Sequence, residues 1–171
     1  MKTFYLKQKV FAITDRYKIF DEQQNIVFHC ESKFLSITHK MKLFETKTNS
    51  HLYTISRKLF TLLPNYYLVD AQGKQVARIR KRFTLFHHKI DIFSSFGDYS
   101  IEGDFMAHDF SITKDGQMVA DFHKKWISWG DSYEITIYPE EQIGFYLALV
   151  IMIDNCLHDN HHSNHLISFN N

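Results

Sequence analysis

The sequence has few of the residues that cross-link, interrupt or charge a chain. Its 171 residues include two cysteines, two prolines and six glycines, and the formal net charge is +1. Two cysteines, Cys30 and Cys156, cannot form the disulfide framework of a small secreted domain, so we expect free thiols in a reducing compartment. A net charge near zero predicts no overall attraction to nucleic acid or to membranes, so contact with either requires a local patch.

The sequence also has little uninterrupted apolar character. Residues 1–7 contain no apolar core of signal-peptide length, so we expect a cytoplasmic protein. The longest apolar run, residues 143–153, is shorter than the roughly 20 residues that span a bilayer, and no transmembrane segment is predicted. A helix that is apolar on every side must instead be surrounded by protein. We predict such a helix over residues 139–158, with Pro139 at its first position, acidic residues in its first turn, and a return to water from Asp154 onward.

Aromatic residues are abundant, with 16 phenylalanines and nine tyrosines. They recur in a strand-turn-strand pattern that repeats roughly every two dozen residues, as expected for hairpins that bury their apolar faces together. Hairpins are predicted at residues 17–30, 42–56, 66–81, 88–102 and 109–124, with single strands near 4–10 and 132–137. About twelve strands favour closure into an antiparallel barrel, which the apolar helix would fill. We predict an all-β fold with one central helix, a single domain over residues 1–159 and a polar tail over 160–171.

Alternation within the hairpins predicts which side chains face the helix. A strand directs successive side chains to opposite faces of its sheet. The predicted inner face includes Phe28, Cys30, Ala77, Ile79, Ala120 and Phe122. The predicted outer face includes His29, Arg78, Arg80, Asp121 and His123. Because the helix leaves little room inside, recognition is expected on the outer wall or at a mouth of the barrel.

Several segments resemble the LURP-one-related family. These are the stretch Gly103-Asp104-Phe105 through Asp109-Phe110-Ser111-Ile112, the segment from Val119 through Lys124-Lys125-Trp126 to Gly130-Asp131-Ser132-Tyr133, and the closing helix with Asp154-Asn155. The resemblance runs from about residue 4 to about residue 158. It implies a fold like that of the tubby C-terminal domain and the phospholipid scramblases, a twelve-stranded barrel around a hydrophobic helix. It implies no catalytic motif, and we see no tubby lipid-binding motif to carry over.

Basic residues alternate along one predicted strand. Arg78, Arg80 and Arg82 occupy every second position, and guanidinium groups in such a ladder can hold phosphate oxygens in bidentate fashion. With Lys58 and Lys81 they form a candidate external site for an acidic phospholipid or another phosphorylated partner. The alternative is a solvated wall that keeps the barrel soluble.

Two other hypotheses remain open. Trp126 and Trp129 are candidate protein contacts, which would make the chain an interaction adaptor. A metal-dependent enzyme or hydrolase would need a ligand or acid-base cluster, for which His161, His162 and His165 in the tail are weak candidates. No phosphate loop, nucleophile elbow or zinc-helix motif is found, so the sequence predicts no cofactor, no catalytic residue and no nucleic-acid partner.

Overall fold

The computed structural model describes residues 1–8, 15–32, 40–58, 65–83, 88–104, 109–127 and 130–158. They form twelve β-strands and one α-helix. The strands are β1 (Lys2–Gln8), β2 (Asp15–Phe20), β3 (Ile26–Ser32), β4 (Met41–Glu45), β5 (Ser50–Arg57), β6 (Asn65–Asp70), β7 (Gln75–Phe83), β8 (His88–Ser94), β9 (Gly97–Asp104), β10 (Asp109–Lys114), β11 (Gln117–Ile127) and β12 (Gly130–Ile137), and the helix is α1 (Ile143–His158).

The strands form one closed antiparallel barrel. Each strand pairs with its neighbours in sequence, and β12 pairs with β1 to complete the circle. The register is fixed by the buried inner face, because a slip of one residue would turn every inward side chain outward. The predicted fold class, a twelve-stranded barrel around a C-terminal helix, is confirmed.

The inner face consists of the residues that alternation predicts. Cys30, Ile79, Ala120 and Phe122 are fully buried, Ala77 is 2% exposed, and Phe28 packs against them with part of its surface exposed. Phe110, Phe122 and Tyr133 form a row of stacked rings with centroid separations of 4.8 Å. Such rows fill the space between the sheet and the helix with side chains.

Helix α1 passes through the barrel and is buried all round. Every side chain from residue 145 to residue 153 is at most 3% exposed. The helix begins at Ile143, so the expectation that Pro139 and the acidic residues after it form the first turn is wrong. Gln142 has a φ of 58°, which interrupts helical geometry just before Ile143. Its carbonyl accepts hydrogen bonds from the amides of Phe145 and Tyr146, at 2.9 and 3.2 Å.

The last turn of the helix does not return to water where we expected. Asp154 is fully buried and Asn155 is 8% exposed. The hydroxyl of Tyr17 donates to Asp154 Oδ2 at 3.3 Å and accepts from Asn155 Nδ2 at 3.2 Å. The hydroxyl of Tyr66 donates to the Asn155 carbonyl at 3.4 Å. The polar residues remain inside because tyrosines of the barrel wall supply hydrogen bonds that solvent would otherwise supply.

Candidate functional site

The candidate basic surface is on the outer wall of β6, β7 and β8. Strand register places Tyr67, Arg78 and Phe93 in one row across the three strands. The next row contains Asn65, Arg80 and Asp91. The backbone amide of Lys58 donates to the Asn65 carbonyl at 2.9 Å, so exposed Lys58 extends the second row beyond the end of β5.

The Phe93 ring contacts the guanidinium groups of both arginines. The guanidinium carbon of Arg78 is 4.6 Å from the centroid of the Phe93 ring, and that of Arg80 is 5.7 Å from the same centroid. Both distances are within the range of cation–π attraction. Phe93 is 44% exposed, which is unusual for phenylalanine and leaves an apolar surface beside two cations. We call Arg78, Arg80 and Phe93 the arginine–phenylalanine patch.

Acidic neighbours balance part of the positive charge. Arg80 Nη2 is 3.5 Å from Asp91 Oδ2, and the Asp91 side chain is only 12% exposed. Asp98 is the cross-strand neighbour of Phe93 on β9. Among the described residues, no carboxylate is within ion-pair distance of Arg78. The charge of Arg78 is therefore the more available of the two for an external anion.

Lys81 does not belong to this external surface. Its side chain is 1% exposed and faces the barrel interior. The reason is the two-residue period of β7, in which residues 77, 79 and 81 share the inner face while residues 78 and 80 share the outer one. Placing Lys81 beside Arg80 in an external site was wrong, because adjacent residues of a strand point to opposite faces.

The remaining sequence candidates are not tested by the structure. Strand β7 includes Arg82 and β11 includes Trp126, but their side chains are not described. Trp129, His161, His162 and His165 are outside the described residues, as is the proposed tail, so their suggested roles stay predictions. Among the residues that are described, no three metal-ligating side chains form a group. No described helix is long and apolar enough to cross a membrane.

Phe93 and Asp91, which determine the geometry of the patch, were not among the residues predicted from the sequence. A signal for Phe93 was present, because buried Ile90 and Ile92 alternate with outward positions and place a phenylalanine on the solvent side. Its contact with both arginines could not be read from that alternation. The contact depends on the register between β7 and β8, which pairs Arg78 with Phe93 and Arg80 with Asp91.

A concave surface is found at the mouth where α1 begins. A cavity of about 440 Å³ is bordered by Lys114, Asp115, Val119, Glu141 and Tyr146, among others. Lys114 Nζ is 5.9 Å from the centroid of the Tyr99 ring. The cavity borders carry charges of both signs, so it does not select an anion as clearly as the arginine–phenylalanine patch.

Comparison with known proteins agrees with this architecture. A Bacillus subtilis (strain 168) relative, the uncharacterized protein YxjI, is 31% identical over 159 residues, which cover 93% of this chain and 96% of the relative. The X-ray structure of an Arabidopsis thaliana protein matches with a TM-score of 0.64 and 16% identity, covering 90% of this chain and 91% of that one. At such low identity the likeness concerns the fold. A family model described as LURP-one-related matches residues 2–154, and the chain therefore belongs to the LURP-one-related family.

Proposed function

We propose that this protein is a non-enzymatic binding module that docks on acidic phospholipid through the arginine–phenylalanine patch. The observation that carries the proposal is the exposed Phe93 side chain in contact with two guanidinium groups. This combination suits the boundary between lipid headgroups and acyl chains. An aromatic ring can enter the apolar side while guanidinium groups hydrogen-bond to phosphate oxygens.

The expected affinity is modest. A basic residue near an anionic membrane contributes about 1 kcal/mol, so two arginines contribute about 2 kcal/mol before salt screening. Lys58 could add a third cation at the edge of the same surface. Attraction of this size supports reversible, peripheral association of a cytoplasmic protein and not permanent anchoring.

Sedimentation with phosphatidylglycerol vesicles tests the proposal. At low salt we expect binding that weakens about 30-fold in the double variant Arg78→Ala/Arg80→Ala, since 1.4 kcal/mol corresponds to tenfold. The matched control is Lys42→Ala/Lys47→Ala, which removes the same charge from exposed positions on and after β4. Binding to neutral phosphatidylcholine vesicles should be weak in every case.

Three results would contradict the proposal. The first is no binding of the native protein to acidic vesicles at low salt. The second is equal weakening by the two double variants, which would indicate general attraction without a site. The third is competition by soluble glycerol phosphate at concentrations that match the lipid phosphate, which would show that a membrane surface is not required.

A further inference from the structure

One seam of the barrel is paired over only part of its length. Strands β8 and β9 form three cross-strand pairs, from residues 92 to 94 on β8 and from 97 to 99 on β9. In contrast, β8 pairs with β7 along its whole length, and β9 pairs with β10 as far as Asp104. Residues 88–91 and 100–104 therefore face each other as two strand edges without mutual pairing. We call this region the open seam.

Hydrogen bonds at the paired ends show which backbone groups face the seam. The Ser95 amide donates to the Val76 carbonyl on β7, so odd-numbered residues of β8 direct their backbone groups to β7 and even-numbered ones to β9. The Asp115 amide donates to the Asp98 carbonyl. Even-numbered residues of β9 therefore direct their backbone groups to β10, and odd-numbered ones direct theirs to β8.

Four residues consequently direct one amide and one carbonyl each into the open seam. They are His88 and Ile90 on β8 and Ile101 and Gly103 on β9. None has a backbone hydrogen-bond partner across the seam among the described residues. Paired strand edges are the rule in a closed barrel, and exposed edges are templates for another strand.

The β9 side of the seam is also poorly covered. Ile112 on β10 is fully buried, whereas its inward-facing neighbour Ile101 is only partly buried. Gly103 is exposed and has a φ of 134°, and its backbone lies directly against Asp109 and Phe110, so a side chain has no room at this position. The seam thus combines backbone groups that lack a partner across it with the partly exposed side chain of Ile101.

We infer that the open seam binds an extended segment of a partner protein in which apolar and basic residues alternate. Backbone groups of the segment would pair with the two strand edges, as in other cases of strand addition. Its inward side chains would cover Ile101 and the exposed backbone of Gly103. Its outward side chains would meet exposed Glu102 and Asp104, the two carboxylates on the outer face of this part of β9.

The two edges restrict the orientation of the bound segment. Because β8 and β9 run antiparallel, a strand between them is antiparallel to one and parallel to the other. Four edge residues can engage two or three residues on each side of the segment, so the recognised stretch is short. Specificity must come from the alternation and from the charges, since backbone pairing is independent of sequence.

Amide hydrogen exchange measured by NMR on the full chain tests the inference. The probe is a capped nonapeptide of alternating lysine and valine, and its control has the same composition with five lysines followed by four valines. We expect the alternating peptide to slow exchange at the amides of His88, Ile90, Ile101 and Gly103 by at least about fivefold, which is the effect of one net hydrogen bond. The block peptide should leave these amides unchanged.

Two pairs of variants locate the site. Ile101→Pro removes a donor that faces the seam and spares the β10 ladder, as is tolerated at strand edges, while Ile101→Val retains the donor. We expect the proline variant to bind the alternating peptide about fivefold or more weakly and the valine variant to bind like the native protein. Glu102→Lys should also weaken binding, whereas Glu22→Lys makes the same charge change in a distant exposed turn and should not.

Several outcomes would overturn the inference. Slow exchange of the four amides before peptide is added would show that the chain itself covers the seam. Equal binding of the two peptides would exclude recognition of alternation. Should Ile101→Pro fail to fold, equal weakening by Glu102→Lys and Glu22→Lys would still reject the seam as the site.

Discussion

The two ends of the buried helix are packed in different ways. At its start, the Phe145 ring meets the rings of Tyr53, Phe96 and Tyr99 at centroid distances of 6.2, 4.9 and 5.9 Å. Near its end, the buried residues include polar ones. Asp154 and Asn155 share the hydroxyl of Tyr17, and Lys81 is also buried.

This contrast shows that burial has different requirements at the two ends. Aromatic packing depends on volume and shape, so a side chain of similar size can replace another at moderate cost. A buried polar group depends on particular partners, because an unmade hydrogen bond inside a protein is expensive. We therefore expect the start of the helix to tolerate isosteric changes that its end does not.

The largest expected effect is at the aromatic end. Phe145→Ala should lower the free energy of unfolding by about 3–5 kcal/mol, because it removes a fully buried ring and leaves a cavity among three others. Phe145→Leu should cost only about 1–2 kcal/mol, since much of the volume is retained. Urea unfolding followed by circular dichroism measures both. Equal losses for alanine and leucine would contradict the view that volume is what this end requires.

A smaller chemical change should be felt strongly at the polar end. Tyr17→Phe removes one oxygen and no ring, yet we expect a loss of about 1–3 kcal/mol because Asp154 and Asn155 each lose a hydrogen-bond partner in a buried site. The matched control is Tyr5→Phe on β1, where the side chain is on the outer face and a change within about 0.5 kcal/mol is expected. The same urea titrations measure the difference. Similar values for the two variants would remove the distinction between the two ends.

Much of the fold could be predicted from local pattern. Repeated hairpins and two-residue alternation give the strand number and the inner face, and an apolar run without a polar side gives a central helix. The precise start of the helix could not be predicted, because Pro139 and the glutamates after it are typical of a first turn. The left-handed backbone at Gln142 decides the boundary, and no composition signal marks a glutamine for that conformation.

The candidate site was less predictable, because it depends on contacts between strands. Alternation placed Arg78 and Arg80 outside correctly, and applied consistently it would have placed Lys81 inside. The contact of Phe93 with both arginines requires the register of β7 with β8. The polar end of the helix requires still more, since Tyr17 and Asp154 are far apart in sequence and meet only when the barrel closes.

The smallest expected effect tests whether water is excluded from the buried polar residues near the end of α1. Cys30 is the cross-strand neighbour of Tyr17 and is fully buried, and burial raises the pKa of its thiol well above the ordinary value near 8.5. Below that pH both folded and unfolded thiols are protonated, and the stability contribution is fully present. As the pH rises above it, the unfolded thiol loses its proton while the folded one retains it, so stability falls.

Between pH 9 and 10 we expect urea titrations to show a loss about 1 kcal/mol larger in the native protein than in Cys30→Ala, in which this thiol is absent. The comparison uses the pH dependence of each protein, so any constant cost of the substitution cancels. Parallel pH profiles would mean that water reaches Cys30, and the hydrogen bonds of Tyr17 would then face competition from solvent that a sealed interior excludes.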